Sequence, residues 1–143
     1  MATSQKTTTW FWVLGVLLLI WNAMGTLAYL GQKLMTPGQM AMLPKDQRAL
    51  IEMTPAWVTS AFALAVWGGL TAAILMLLRK AFAHSMFMAS LFGAVVQMCY
   101  NFFIAGAYDI YGPEGLLMPA IILIIGAYSI YYTGQCKEKG ILT

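Results

Sequence analysis

Four stretches of this 143-residue chain, residues 9–32, 55–78, 83–108 and 115–133, contain no Asp, Glu, Lys or Arg. Each approaches or exceeds the ~20 apolar residues that carry a helix across a bilayer. A helix is the only open segment that satisfies its own backbone in hydrocarbon. A charge at the centre of such a span costs about 2.5–3.5 kcal/mol, which explains the clean gaps. Charged residues make up 9% of the chain, against about 25% in soluble domains, and hydrophobic residues make up 61%. A soluble fold of this length could not hide so much apolar surface, so the bilayer must cover part of it. The expectation is an all-α polytopic membrane protein, a four-transmembrane-helix bundle forming one domain over residues 1–143. No length remains for a separate catalytic module, and the lipid bilayer is the first partner.

Orientation follows from Lys and Arg. Four spans put both termini and the loop between spans two and three on one side. That side carries Lys6, Arg79, Lys80, Lys137 and Lys139; the other carries Lys33, Lys45 and Arg48. Arg79-Lys80 also sits in a very short loop, where the bias acts most strongly. The expected location is a bacterial inner membrane, with the N- and C-termini in the cytoplasm. Span one is expected to stay as a span and not act as a cleaved leader, because its apolar character continues through Leu27, Tyr29 and Leu30.

The 33–54 connection is expected to be a short amphipathic outer segment. Thr36-Pro37 reads as an N-cap with proline at the first helical position, and Leu43-Pro44 can open a second short helix. Leu50, Ile51 and Met53 form an apolar side there, with Lys45, Asp46, Arg48 and Glu52 opposite. Thr54-Pro55 is expected to cap span two in the same way. Gly and Pro in Asp109–Gly115 predict a tight turn before span four.

Small residues give the packing signal. Ala61, Ala65, Gly69 and Ala73 stand four apart on span two and form one stripe. Membrane helices gain no hydrophobic drive from meeting, so close backbone approach supplies the attraction. The stripe is expected to face a helix of the same chain rather than another copy. An aromatic-Asn-x5-Ala-Tyr pattern occurs at Trp21-Asn22…Ala28-Tyr29 and again at Tyr100-Asn101…Ala107-Tyr108. It suggests a duplicated hairpin with its asparagines at similar depth.

Few residues could carry chemistry. Asn22, Gln97 and Asn101 are the only amides at membrane depth. Gln97 and Asn101 share a helix face at spacing four, and Asn22 meets them if spans one and three pack together. They serve either as interhelical hydrogen-bonding glue, the weightier reading, or as a polar site for a small neutral solute. His84 has no second ligand nearby, and Cys99 and Cys136 fit neither a metal nor a disulfide pattern. No nucleophile–base pair or glycine-rich phosphate loop occurs, so neither an enzyme nor a cofactor is expected. Without a membrane carboxylate, the proton coupling of small multidrug resistance transporters is excluded. The net charge of +3 comes from scattered basic residues and leaves no nucleic-acid footprint.

Several segments resemble one family. They are Leu19–Gly25, Thr54–Trp57, Trp67–Gly69, Leu77–Lys80, Gln97–Phe103 and Tyr111–Pro113. Together they are similar to a family of small bacterial four-span inner-membrane proteins that commonly carries the label "sugar transporter". The architecture is more weakly similar to DoxX-like proteins. The resemblance implies four helices and the inner membrane. Helices of this composition can fill their own interior, so the residues favour an accessory or structural membrane component, alone, as a homo-oligomer or in a larger complex. The alternative, implied by the family label, is a carrier or channel for a small neutral solute.

Overall fold

The computed structural model describes residues 7–143. Helix α1 spans Thr9–Lys33, α4 Ala56–Leu77, α5 Phe82–Cys99 and α7 Leu117–Glu138. Between α1 and α4 lie two short helices, α2 (Pro37–Ala41) and α3 (Lys45–Met53). Between α5 and α7 lie a π-helical turn (Tyr100–Ile104), α6 (Ala107–Tyr111) and a 3-10 turn (Pro113–Leu116). Four helical segments, Thr9–Lys33, Ala56–Leu77, Phe82–Ile104 and Pro113–Glu138, are long and apolar enough to cross a membrane. The chain is an all-α, multi-pass membrane protein built as a four-helix bundle.

Each long helix packs on its neighbour in sequence, so the order in space is α1, α4, α5, α7. The small-residue stripe sets the tightest of these contacts. A Cβ placed on Gly93 of α5 would come within 2.6 Å of the Ala61 carbonyl oxygen and 3.0 Å of the Ala65 nitrogen. The Ser90 hydroxyl donates to the Ala65 carbonyl across the same seam. Ala73 is fully buried, and Gly69 lies against both Asn22 of α1 and Ser90 of α5. The stripe therefore joins α4 to two helices of its own chain.

The dense core lies at the end of the bundle that carries the chain termini. Phe11, Leu14 and Leu18 of α1 pack there with Ala72, Ala73 and Met76 of α4 and with Ala83 and Phe87 of α5. The chain beyond α7 closes that end. Gly140 turns the backbone at φ 76°, and Ile141 and Leu142 drop into the core. Arg79 holds this tail: its Nε donates to the Ile141 carbonyl at 3.0 Å, and its own carbonyl accepts from the Thr143 N–H at 3.0 Å. Arg79 adopts φ 59° to do so, the only non-glycine with positive φ among the described residues.

The opposite end differs from the sequence expectation in two places. Thr54 does not cap α4; its hydroxyl donates to the Leu50 carbonyl at 2.8 Å and ends α3 instead. Proline lacks the N–H that a cap would otherwise satisfy, and Pro55 already stands at the N-cap of α4. Span three also stops earlier than Tyr108. It loosens into the π-turn after Cys99 and breaks at Gly106, where φ is 73°. The tight turn is thus a helix-loop-helix corner, entered at Gly106 and left at Gly112, also at φ 73°. The Thr36 cap is as expected: its hydroxyl accepts from the Gln39 N–H at 3.2 Å while the Gln39 side chain accepts from the Thr36 N–H at 2.9 Å.

Candidate functional site: a two-chambered cavity inside the bundle

Outside the terminal core and the close α4–α5 seam, the bundle is not filled. A cavity of about 370 Å³ lies at mid-bundle among α1, α4, α5 and α7. A second, of about 350 Å³, lies nearer the α3–α6 end. Phe62, Gln97, Met98, Met118 and Ile122 line both, so the two chambers meet at these side chains. Neither chamber has a charged residue in its lining.

Asn22 and Gln97 line the mid-bundle chamber, and Gln97 and Asn101 line the second. Gln97 thus borders both chambers, Asn22 only the mid-bundle one and Asn101 only the second. No amide bonds another amide. Asn22 Nδ2 donates to the Leu18 carbonyl one turn back at 2.8 Å, and its oxygen lies over Gly69 beside the Ser90 hydroxyl. Gln97 and Asn101 make no side-chain hydrogen bond to any described residue, although both are half-buried. Their polar atoms are accessible, since no buried side-chain N or O among the described residues lacks a partner, and their bonding capacity is open to whatever occupies the space.

The arrangement differs from a direct meeting of spans one and three. Helices α1 and α5 lie on either side of α4 and approach each other over Gly69. Asn22 is therefore level with Ser90, eleven residues before Asn101. At 1.5 Å per residue the two asparagines sit roughly 16 Å apart along the bundle. That offset removes the equivalence on which the duplicated-hairpin expectation rested. Helix α1 also meets the terminal half of α7, where Trp10 Nε1 donates to the Tyr128 hydroxyl at 3.1 Å.

No family model, curated protein or solved structure matches this chain.

Of the remaining candidates, His84 has a structural partner. His84 Nδ1 lies 3.1 Å from the Thr133 hydroxyl, which itself donates to the Ser129 carbonyl at 2.7 Å. Either the imidazole N–H or the hydroxyl can donate, according to the tautomer, and the bond pins α5 to α7. Cys99 is exposed and Cys136 is buried in the terminal core. No group of three or more potential metal-ligating side chains occurs among the described residues. Ser90 and Ser129 also border the mid-bundle chamber. Ser90 shares the face of α5 that carries Gly93, Gln97 and Asn101, which the sequence already pointed into the bundle; Ser129 was passed over because serine is common in membrane helices, and only the rotation of α7 shows that it faces the space.

Proposed function

We propose that this chain binds a small neutral solute inside its bundle and carries it across the bacterial inner membrane. The observation that supports this reading is Gln97, whose unpartnered amide stands where two uncharged chambers meet. Amides acting as glue would bond each other and leave no space between them. An uncharged lining repels no neutral solute and offers a charged one no counter-ion. The space reaches from mid-bundle toward α3 and α6, while Phe11, Met76 and Leu142 seal the terminal end. That is the geometry of a carrier open on one side. With Arg79-Lys80 in the cytoplasm, the open side is the outer one.

The accessory reading favoured by composition keeps one supporting observation. In the most apolar stretch of the fourth span only 6% of residues are buried, against 33% in α4. A second helical surface, from another copy or a larger complex, would cover that face.

The test uses the full chain in proteoliposomes. Saturable binding or transfer is measured for a panel of neutral solutes, from polyols and hexoses to aliphatic alcohols. The carrier reading expects at least one solute to be bound and transferred, and Asn101→Leu to lose that activity while keeping its melting temperature. A null result across the panel, or an Asn101→Leu variant that simply fails to fold, returns the chain to the structural reading.

A further inference from the structure

Resting on the reading above, the lining of the mid-bundle chamber narrows the class of ligand. Asn22, Ser90, Gln97 and Ser129 are its polar side chains, with the indole N–H of Trp21 as a further donor; methionine, aromatic and aliphatic groups make up most of the rest. Most of that polarity is already committed. Asn22 donates to the Leu18 carbonyl and Ser129 to the Ile125 carbonyl within their own helices, and Ser90 donates to the Ala65 carbonyl of α4. The hydroxyl protons are spent, and Gln97 alone presents a whole amide. A hexose brings hydroxyl groups on every side and would leave most of them unpaired here, each at a desolvation cost.

The route into the chamber points the same way. Helices α1 and α7 both line it, yet their hydrogen bond, Trp10 to Tyr128, lies toward the terminal end. Apart from that bond α1 and α7 touch little, since α1 packs on α4 and α7 on α5. Met24 on α1 is 58% exposed and Met118 on α7 is 54% exposed, and both line the chamber. Both side chains are thus reached from outside the bundle as well as from the chamber, and on membrane-spanning helices the outside is lipid.

We propose that the mid-bundle chamber takes an uncharged, lipid-soluble molecule with a hydrogen-bonding group at one end, which enters from the bilayer between α1 and α7 and places that group on Gln97. The chamber of about 370 Å³ has room for about a dozen groups of ~30 Å³, the size of a medium-chain alcohol. The methionines suit an unbranched or irregular chain, because their thioethers adapt to its shape. The second chamber, bordered by Asn101, Thr54 and Tyr111, is the more polar exit for the head group.

Trp21 lines the chamber and serves as the reporter. The full chain in phospholipid nanodiscs is titrated with 11-bromoundecan-1-ol, whose bromine quenches tryptophan on contact. The expected result is a saturable quench that disappears in Trp21→Phe and is reversed by unbrominated undecan-1-ol but not by undecanoate. Gln97→Leu is expected to weaken the alcohol about tenfold, the loss of roughly one hydrogen bond, and to leave 1-bromoundecane unchanged. A quench that rises linearly and resists competition is bulk partitioning and overturns the proposal, and the competition needs no variant to fold. If the alcohol fails while a hexose or glycerol is bound in the panel above, the ligand class is wrong and the carrier reading survives. If nothing binds in either experiment, both fall.

Discussion

Gly69 shows how a single residue joins packing to the site. It sits where α1, α4 and α5 come closest, and a Cβ there would overlap Asn22 Oδ1 and lie 3.0 Å from the Ser90 hydroxyl. Asn22 is held by its bond to the Leu18 carbonyl and Ser90 by its bond to the Ala65 carbonyl, so a side chain there must break one of these bonds or push the helices apart. Overpacking of this kind costs about 1–3 kcal/mol. Gly69→Leu is therefore expected to lower the melting temperature in detergent more than Leu70→Ala does. Equal shifts would show that the stripe does not hold the bundle. Arg79 poses a sharper contest of magnitudes. Its left-handed backbone costs roughly 1 kcal/mol, which glycine would recover. Its hydrogen bond to the Ile141 carbonyl is charge-assisted and contributes about 1.5–3 kcal/mol. The bond outweighs the strain, so Arg79→Gly is expected to be net destabilising, and Arg79→Ala, which loses the bond and keeps the strain, more so. A glycine variant that melts above the wild type would show that the tail clamp contributes little.

At the scale of elements, the fourth strut of the bundle depends on how α5 ends. The π-turn at Tyr100–Ile104 and the left-handed Gly106 together redirect the chain into α6. Tyr100 anchors the corner: it is buried, its hydroxyl donates to the Met53 carbonyl at 3.3 Å, and its ring meets Trp57 edge-on at 5.7 Å. The corner sets where Asn101 faces, and so the shape of the second chamber. Gly106→Ala is expected to cost about 1 kcal/mol in stability and to weaken ligand binding along with it. Gly106→Asn, which tolerates the left-handed region better, should recover part of both. Identical behaviour of the two variants would mean that the corner can re-form without its glycine. The same reasoning applies to His84. Removing it in His84→Ala takes away the bridge to Thr133 but leaves the Thr133 hydroxyl bonded to its own helix. The expected loss is small, about 0.5–1.5 kcal/mol.

For the whole molecule, uneven packing is the main property. One end is a closed core, while chambers of about 370 and 350 Å³ lie at mid-bundle and nearer the α3–α6 end. Orientation decides which compartment each end meets. Cysteines introduced at Gln47, in α3, and at Gly140, beyond α7, are expected to react with impermeant reagents from opposite sides, with Gly140 facing the cytoplasm. Labelling of both from one side would overturn the topology, and with it the outward-open assignment. The exposed face of the fourth span carries its own expectation: if another copy covers it, cross-linking in native membranes gives a discrete dimer through that face and none through α4.

The number of spans, their rough limits and the helical class were legible in the sequence, because excluding charge from hydrocarbon is a strong and local rule. So was the small-residue stripe, since a spacing of four residues puts its members on one face whatever lies opposite. The Thr54 cap was misread because a threonine between two helices can serve either, and the choice depends on the angle at which Pro55 launches α4. The chambers were not legible at all. The sequence identified Asn22, Gln97 and Asn101 as rare amides, but whether amides bond each other or stand apart depends on helix rotation and depth. Those are set by distant contacts: Gly69 against Asn22, Gly93 against Ala61, and Trp10 against Tyr128. Local chemistry determined which residues could meet a ligand, and only the tertiary packing, dense at one end and open at the other, decided that a space would be left for one.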